Sequence, residues 1–114
     1  MNVLFYGGRD FNNYTRLCEA MKMLPFQISY GIQGGATGAD RLGKRWCMEN
    51  GIHCAEVCAL WDFYGKSAGY KRNFAMSEII RIDYAIEMPG GRGTLSMRQI
   101  LEKKGVVIWK PFDT

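Results

Sequence analysis

The sequence predicts an α/β fold in three layers, a mostly parallel sheet of about five strands with helices on both faces. Three observations carry this expectation. Short apolar runs alternate with stretches whose apolar residues recur every three or four positions, and strands that alternate with helices build parallel sheets. The first run, Val3-Leu4-Phe5-Tyr6, lacks the polar alternation of a half-exposed strand and suits one covered on both faces. Three of the runs end in glycine-rich turns, Gly7-Gly8, Gly34-Gly35 and Pro89-Gly90-Gly91, and in such sheets ligands bind beyond the carboxyl ends of the strands.

Each element has its own signal. After the first strand, Asp10 to Asn13 supply capping residues, and Tyr14, Leu17, Cys18, Met21 and Leu24 mark a helix from about Asn13 to Met23, ended by Pro25. Ile28 to Ile32 is the second strand. Asp40 to Asn50 reads as a helix with Leu42, Trp46 and Cys47 inward, stopped by Gly51. Ile52 to Leu60 is the third strand, with Ile52, Cys54, Val57 and Ala59 as inward positions. Trp61 to Gly69, rich in glycine and polar groups, reads as a loop. Tyr70 to Ile80 is a helix, with Phe74 and Met76 expected in the core. Ile82 to Met88 is the fourth strand, Thr94 to Lys104 a helix closed by Gly105, and Val106 to Trp109 the last strand. The order is consistent with one domain over residues 1–114, with right-handed crossovers.

The three turns carry the chemistry. Met88-Pro89-Gly90-Gly91-Arg92-Gly93-Thr94 joins a strand to a helix. Its glycines let the backbone approach a phosphate, and the first N–H groups of the helix have no partners inside the helix. Thr94 adds a hydroxyl and Arg92 a planar cation. Gly34-Gly35-Ala36-Thr37-Gly38-Ala39-Asp40 combines close backbone approach, a hydroxyl and a helix start. It is neither a G-x-G-x-x-G fingerprint nor a P-loop. Asp40 reads as a helix cap or as an acceptor for a ribose hydroxyl. Gly7-Gly8-Arg9-Asp10 is a tight turn or a third part of the same site. All follow strands, so all fall at one edge of the sheet, and one composite site for a nucleotide-like ligand is expected. Between Trp61 and Met76, aromatics alternate with cations and amides. Such a mixture can stack a base and hold its phosphate; Trp61, Lys66, Ser67, Arg72 and Asn73 join the candidate set, while Phe63, Tyr70 and Phe74 also fit a core.

Bulk properties narrow the classes. The chain is 47% hydrophobic and 23% charged, with 15 Lys and Arg against 11 Asp and Glu and a net charge of +4. That balance suits an anionic partner without identifying one. The apolar runs are too short to cross a membrane, and Met1-Asn2-Val3 does not resemble a signal peptide, so a cytoplasmic location is the expectation. Cys18, Cys47, Cys54 and Cys58 form no C-x-x-C pair and His53 is the lone histidine. Reduced core thiols are expected, with no metal and no cofactor. A Ser/His/Asp set is missing. Asp10, Asp40, Asp62 and Glu87 are the carboxylates from which an acid and base pair could be drawn.

Together, Gly-Gly-Arg-Asp, Gly-Gly-Ala-x-Gly-Ala-Asp, Gly-Lys-x-Ala-Gly-x-x-Arg-Asn-x-x-Met and Pro-Gly-Gly-Arg-Gly-Thr, in order from Gly7 to Thr94, resemble the YspA-like branch of the SLOG superfamily. That superfamily also includes LOG phosphoribohydrolases and DprA-type DNA-binding proteins. The resemblance implies a Rossmann-like domain that binds a nucleotide or nucleotide-derived molecule, often as a homodimer. Arg72-Asn73-Phe74-Ala75-Met76 is similar to the Arg-Lys-x-x-Met stretch of the LOG enzymes, so Arg72 would match their active-site arginine. Pro89 to Met97 is similar to their Pro-Gly-Gly-x-Gly-Thr-x-Glu-Glu, but Ser96 and Met97 stand where the glutamates would be. The cradle is kept while the obvious carboxylates for glycosidic cleavage are gone. Three readings follow. The first is a module that senses, carries or sequesters a nucleotide-derived ligand. The second is an N-glycosidic hydrolase, with Arg72 and Asp40 as catalytic candidates. The third is a single-stranded nucleic-acid binder.

Overall fold

A computed structural model describes residues 1–112, the side chain of Ile79 excepted. Asp113 and Thr114, counted within the single expected domain, lie outside the described residues. Five strands form one sheet: β1 (Asn2–Tyr6), β2 (Tyr30–Gln33), β3 (Cys54–Glu56), β4 (Tyr84–Glu87) and β5 (Val107–Trp109). Their order is β3-β2-β1-β4-β5, and every pairing is parallel. Helices α1 (Tyr14–Met21), α2 (Ala39–Glu49), α3 (Trp61–Tyr64), α4 (Ala68–Ile79) and α5 (Arg92–Lys103) connect them, with a 3-10 turn at Gly65–Ser67. This is the expected α/β, Rossmann-like architecture.

The period of two along β1 divides the core. Val3 and Phe5 face Leu17, Ala20 and Met21 of α1 and Ala39 and Cys47 of α2. Leu4 and Tyr6 face Met76 of α4 and Met97 and Leu101 of α5. With both faces covered, β1 is buried from Val3 to Tyr6. Each large apolar side chain so buried contributes about 1.5–3 kcal/mol. Gly43 brings α2 close to β1, since a Cβ there would stand 2.5 Å from the Phe5 Cβ.

The α1 cap comes from the expected Asp10 to Asn13 stretch: the Asn13 side chain accepts the Arg16 N–H at 3.1 Å. Several expectations need correction. Trp61 to Gly69 is largely helical rather than a loop. Its polar composition reflects solvent exposure, because neither α3 nor the 3-10 turn has a buried residue, and Gly65, at φ +59°, interrupts the helical path. Residues Cys54–Glu56 alone form the third strand, because β3 is an edge strand paired only with β2. Phe74 is 48% exposed rather than core, since α4 turns Ala68, Asn73 and Met76 inward instead. Of the four cysteines only Cys47 is buried, and Cys58 is exposed beyond the end of β3. None of the described helices is long and apolar enough to cross a membrane.

Candidate functional site

Gly8 holds three turns together. Its N–H donates to the Pro89 carbonyl at 2.8 Å, and its own carbonyl accepts the Ala39 N–H at 3.0 Å. One residue at the end of β1 thus anchors both the turn after β4 and the start of α2. The closeness demands glycine. A Cβ on Gly8 would lie 2.6 Å from the Pro89 oxygen. Gly38 combines a φ of +77° with a position where a Cβ would meet the Gly8 and Arg9 carbonyl oxygens at 2.4 Å.

Beside this junction, where strand order diverges between β1 and β4, lies a cleft of about 440 Å³. Such a position is where sheets of this kind bind ligands, and the volume falls in the range of about 300–1,000 Å³ seen for ligand pockets. The N-terminus of α5 opens on it. Gly91 caps that helix without a side-chain hydrogen bond. The first backbone bond of the helix is Leu95 N–H to the Gly91 carbonyl, at 3.0 Å. The N–H groups of Arg92, Gly93 and Thr94 precede it, so the positive end of the helix dipole faces the cleft. Arg9, Lys66, Arg72 and Arg92 line the cleft, against Asp40 as its carboxylate. The Arg9 guanidinium sits over the Trp61 ring, 5.3 Å from its centroid.

Arg72 enters from α4. Nη1 donates to the Gly34 carbonyl and Nε donates to the Asn73 Oδ1 at 2.9 Å. The Asn73 amide donates in turn to the Gly93 carbonyl at 3.5 Å, linking α4 to the glycine turn of α5. Asp40 Oδ2 accepts the Ala36 N–H at 3.1 Å and lies 3.9 Å from Arg72 Nη1. Asp40 therefore does not cap its helix. Gly38 occupies the cap position, and the carboxylate reaches back to brace the second glycine turn. Burial pushes the Asp40 carboxyl up, against the opposing pull of the Ala36 N–H and of Arg72. Burial also draws Arg72 down; a guanidinium still keeps its charge at neutral pH.

Of the other carboxylates, Glu87 is engaged by its own partners. Arg98 binds Glu87 through two bonds, Nε to Oε1 at 2.7 Å and Nη2 to Oε2 at 2.6 Å. Tyr6 donates its hydroxyl to Oε1 at 2.7 Å. Burial would raise Glu87, but these bonds outweigh it and hold the carboxyl below its ordinary range. Burial and the Glu87 contact keep the Tyr6 hydroxyl protonated well above its usual value. Asp10 lines an adjoining depression with Phe11, Pro89 and Gly90, which shares Gly8, Arg9 and Gly91 with the cleft.

Of the residues singled out by sequence, thirteen line the cleft: Gly7, Gly8, Arg9, Ala36, Asp40, Trp61, Lys66, Arg72, Asn73, Gly91, Arg92, Gly93 and Thr94. Gly34, Gly35, Thr37, Gly38, Pro89 and Gly90 shape the turns behind it. A Cβ at Gly34 would fall 2.3 Å from Arg72 Nη1, so that glycine makes room for the arginine. The Ser67 hydroxyl donates to the Tyr64 carbonyl at 3.1 Å. Tyr6, Gly69, Tyr70 and Met76 also line the cleft, as do Ser96 and Met97. Tyr6 had no signal beyond its place at the end of β1. Gln33 carried none either, yet it is 1% exposed. It accepts the Gly35 N–H at 2.6 Å and donates to Glu56 at 2.9 Å, which fixes the turn from inside the sheet.

A doubly wound parallel sheet whose glycine turns meet beside a cationic cleft at the strand-order switch defines a Rossmann-like protein. The chain belongs to the YspA, cpYpsA-related SLOG family (YAcAr), whose sequence profile matches residues 1–64. That segment holds the first two turns and Asp40; Arg72 and the third turn lie beyond it. The chain is also similar to the Gene 61 protein of Mycobacterium phage D29. The two are 30% identical over 118 residues, a span covering 93% of this chain and 92% of that protein. Family membership points to nucleotide-related function.

Proposed function

We propose that the protein binds a nucleotide or nucleotide-derived small molecule in the cleft beside Gly8, to sense, carry or sequester it. The observation that carries this reading is the double anchoring of Gly8 to Pro89 and Ala39, which sets the uncapped start of α5 beside the start of α2, on the cleft that the Arg72 guanidinium, held by Gly34 and Asn73, also lines. Backbone donors, a helix N-terminus and fixed guanidinium groups are the components that recognise phosphate. Trp61 and Tyr70 supply aromatic surface for a base or sugar.

A second reading, N-glycosidic hydrolysis, draws on one observation: Asp40 lines the cleft with its carboxyl pushed up by burial. A carboxyl so poised is suited to proton transfer.

Native mass spectrometry of the protein mixed with mononucleotides, dinucleotides and ADP-ribose tests both. An intact ligand retained by the wild type and lost in Arg72→Ala supports the binding module. Release of free base that stops in Asp40→Asn supports the hydrolase. No complex and no product with any member of the panel defeats both. The same spectra read the oligomer, for which we propose a homo-oligomer, a dimer or higher.

A further inference from the structure

A smaller depression of about 220 Å³ lies between α4 and α5. It shares Tyr70 and Ser96 with the main cleft, so the two depressions adjoin at these side chains. Beyond that junction lie Phe74, Gln99, Lys103 and Lys104. Tyr70 and Phe74 stand one helical turn apart on α4 and are 59% and 48% exposed. The Lys104 ammonium lies 6.0 Å from the centre of the Phe74 ring and pairs with Glu78. No carboxylate lines this depression among the described residues.

Helix α4 is therefore apolar on two faces. Ala68 and Met76 pack inward, while Tyr70 and Phe74 are held out against a groove edged by lysines. Flat aromatic surface beside ammonium groups is a stacking platform for a nucleobase with an attached phosphate. A mononucleotide in the main cleft would leave it empty.

We infer that the ligand is a linear dinucleotide. Its proximal phosphate and nucleoside would occupy the cleft, its phosphodiester would pass Ser96 and Tyr70, and its distal base would stack at Phe74 near Lys103. This inference rests on the nucleotide-binding reading above and extends it into the adjoining depression.

Calorimetric titration with AMP and with the 5′-phosphorylated dinucleotide pApA, and likewise with GMP and pGpG, tests the extension. The wild type binds the dinucleotide at least about fivefold tighter than the matching mononucleotide, the lower end of what one stacked base contributes. Phe74→Ala and Lys103→Ala, neither of which touches the main cleft, reduce that gain and leave mononucleotide affinity unchanged. Equal affinity for the two probes overturns the inference alone. A gain that survives both substitutions does so too, as does a dimer broken by Phe74→Ala with the gain intact, since a second copy would then cover the groove. If neither probe pair binds the wild type while other nucleotides do, the dinucleotide assignment fails and the cleft reading stands. If nothing in the wider panel binds, both fail.

Discussion

Arg72 and Asp40 meet across Gly34, with Nη1 3.9 Å from Oδ2 and side chains only 12% and 9% exposed. The contact places a desolvated carboxylate beside a desolvated cation at the edge of the cleft. Their attraction opposes the cost of burying both, and the raised Asp40 carboxyl indicates that burial prevails.

A carboxyl raised on folding stabilises the protein below its unfolded value and loses that stabilisation as pH rises through the folded one. Asp40→Asn, which mimics the protonated form, is expected to melt higher than the wild type at neutral pH. The difference should shrink as pH falls toward 3.8, the ordinary value for Asp. Melting curves across that window check the sign, and a difference that grows on acidification contradicts it.

Arg72→Ala leaves Asp40 buried without its counter-charge. The expected loss is about 3 kcal/mol at neutral pH. The loss should be smaller when the arginine is removed from the Asp40→Asn background, because no charge is then stranded. A double-mutant cycle by denaturant unfolding measures the coupling.

Glu87 behaves in the opposite sense. Its carboxyl is lowered on folding by Arg98 and Tyr6 acting against burial, so its stabilisation is present above 4.5 and is lost as pH falls through the folded value. Glu87→Gln is expected to cost about 2 kcal/mol at pH 7 and to flatten the acid limb of the stability curve. Unfolding at a series of pH values reads both effects.

Two glycines separate folding from binding. Gly38→Ala places a Cβ 2.4 Å from two carbonyl oxygens at a φ of +77°, and a loss above about 2 kcal/mol is expected. Gly93→Ala meets nothing within 4 Å and sits in the first turn of α5, where alanine is favoured by about 0.5–1 kcal/mol. Its Cβ adds bulk to the cleft wall. The variant should therefore melt at or above the wild-type temperature and bind nucleotide more weakly. Calorimetry on the two variants distinguishes these outcomes.

Lys66 and Arg92 are exposed on the cleft rim. Lys66→Ala and Arg92→Ala are expected to weaken phosphate-bearing ligands by about tenfold each, with little change in melting temperature. The wild-type affinity should fall with added salt, less steeply in either variant. An unchanged affinity in both would remove these cations from the site.

Local pattern alone determined a large part of this protein. The alternation of apolar runs with helical periodicity specified a parallel sheet and its helix order, because burial on both faces needs apolar strands such as Val3–Tyr6. Glycine after β1, β2 and β4 marked where the backbone makes close turns, and parallel strands put those turns at one edge. The four motifs from Gly7 to Thr94 also identified the family. Tertiary structure decided the rest. Only the order β3-β2-β1-β4-β5 brings Gly8 within hydrogen-bond distance of Pro89, eighty-one positions away. Packing, not composition, exposed Phe74 and buried Gln33. A helix side chain is inside or outside according to what its neighbour covers, and a buried amide is tolerated only where the fold supplies partners. The Asp40 carboxyl is shifted for the same reason: its solvent is replaced by Gly34, Ala36 and Arg72, contacts made only when strand, turn and helix come together.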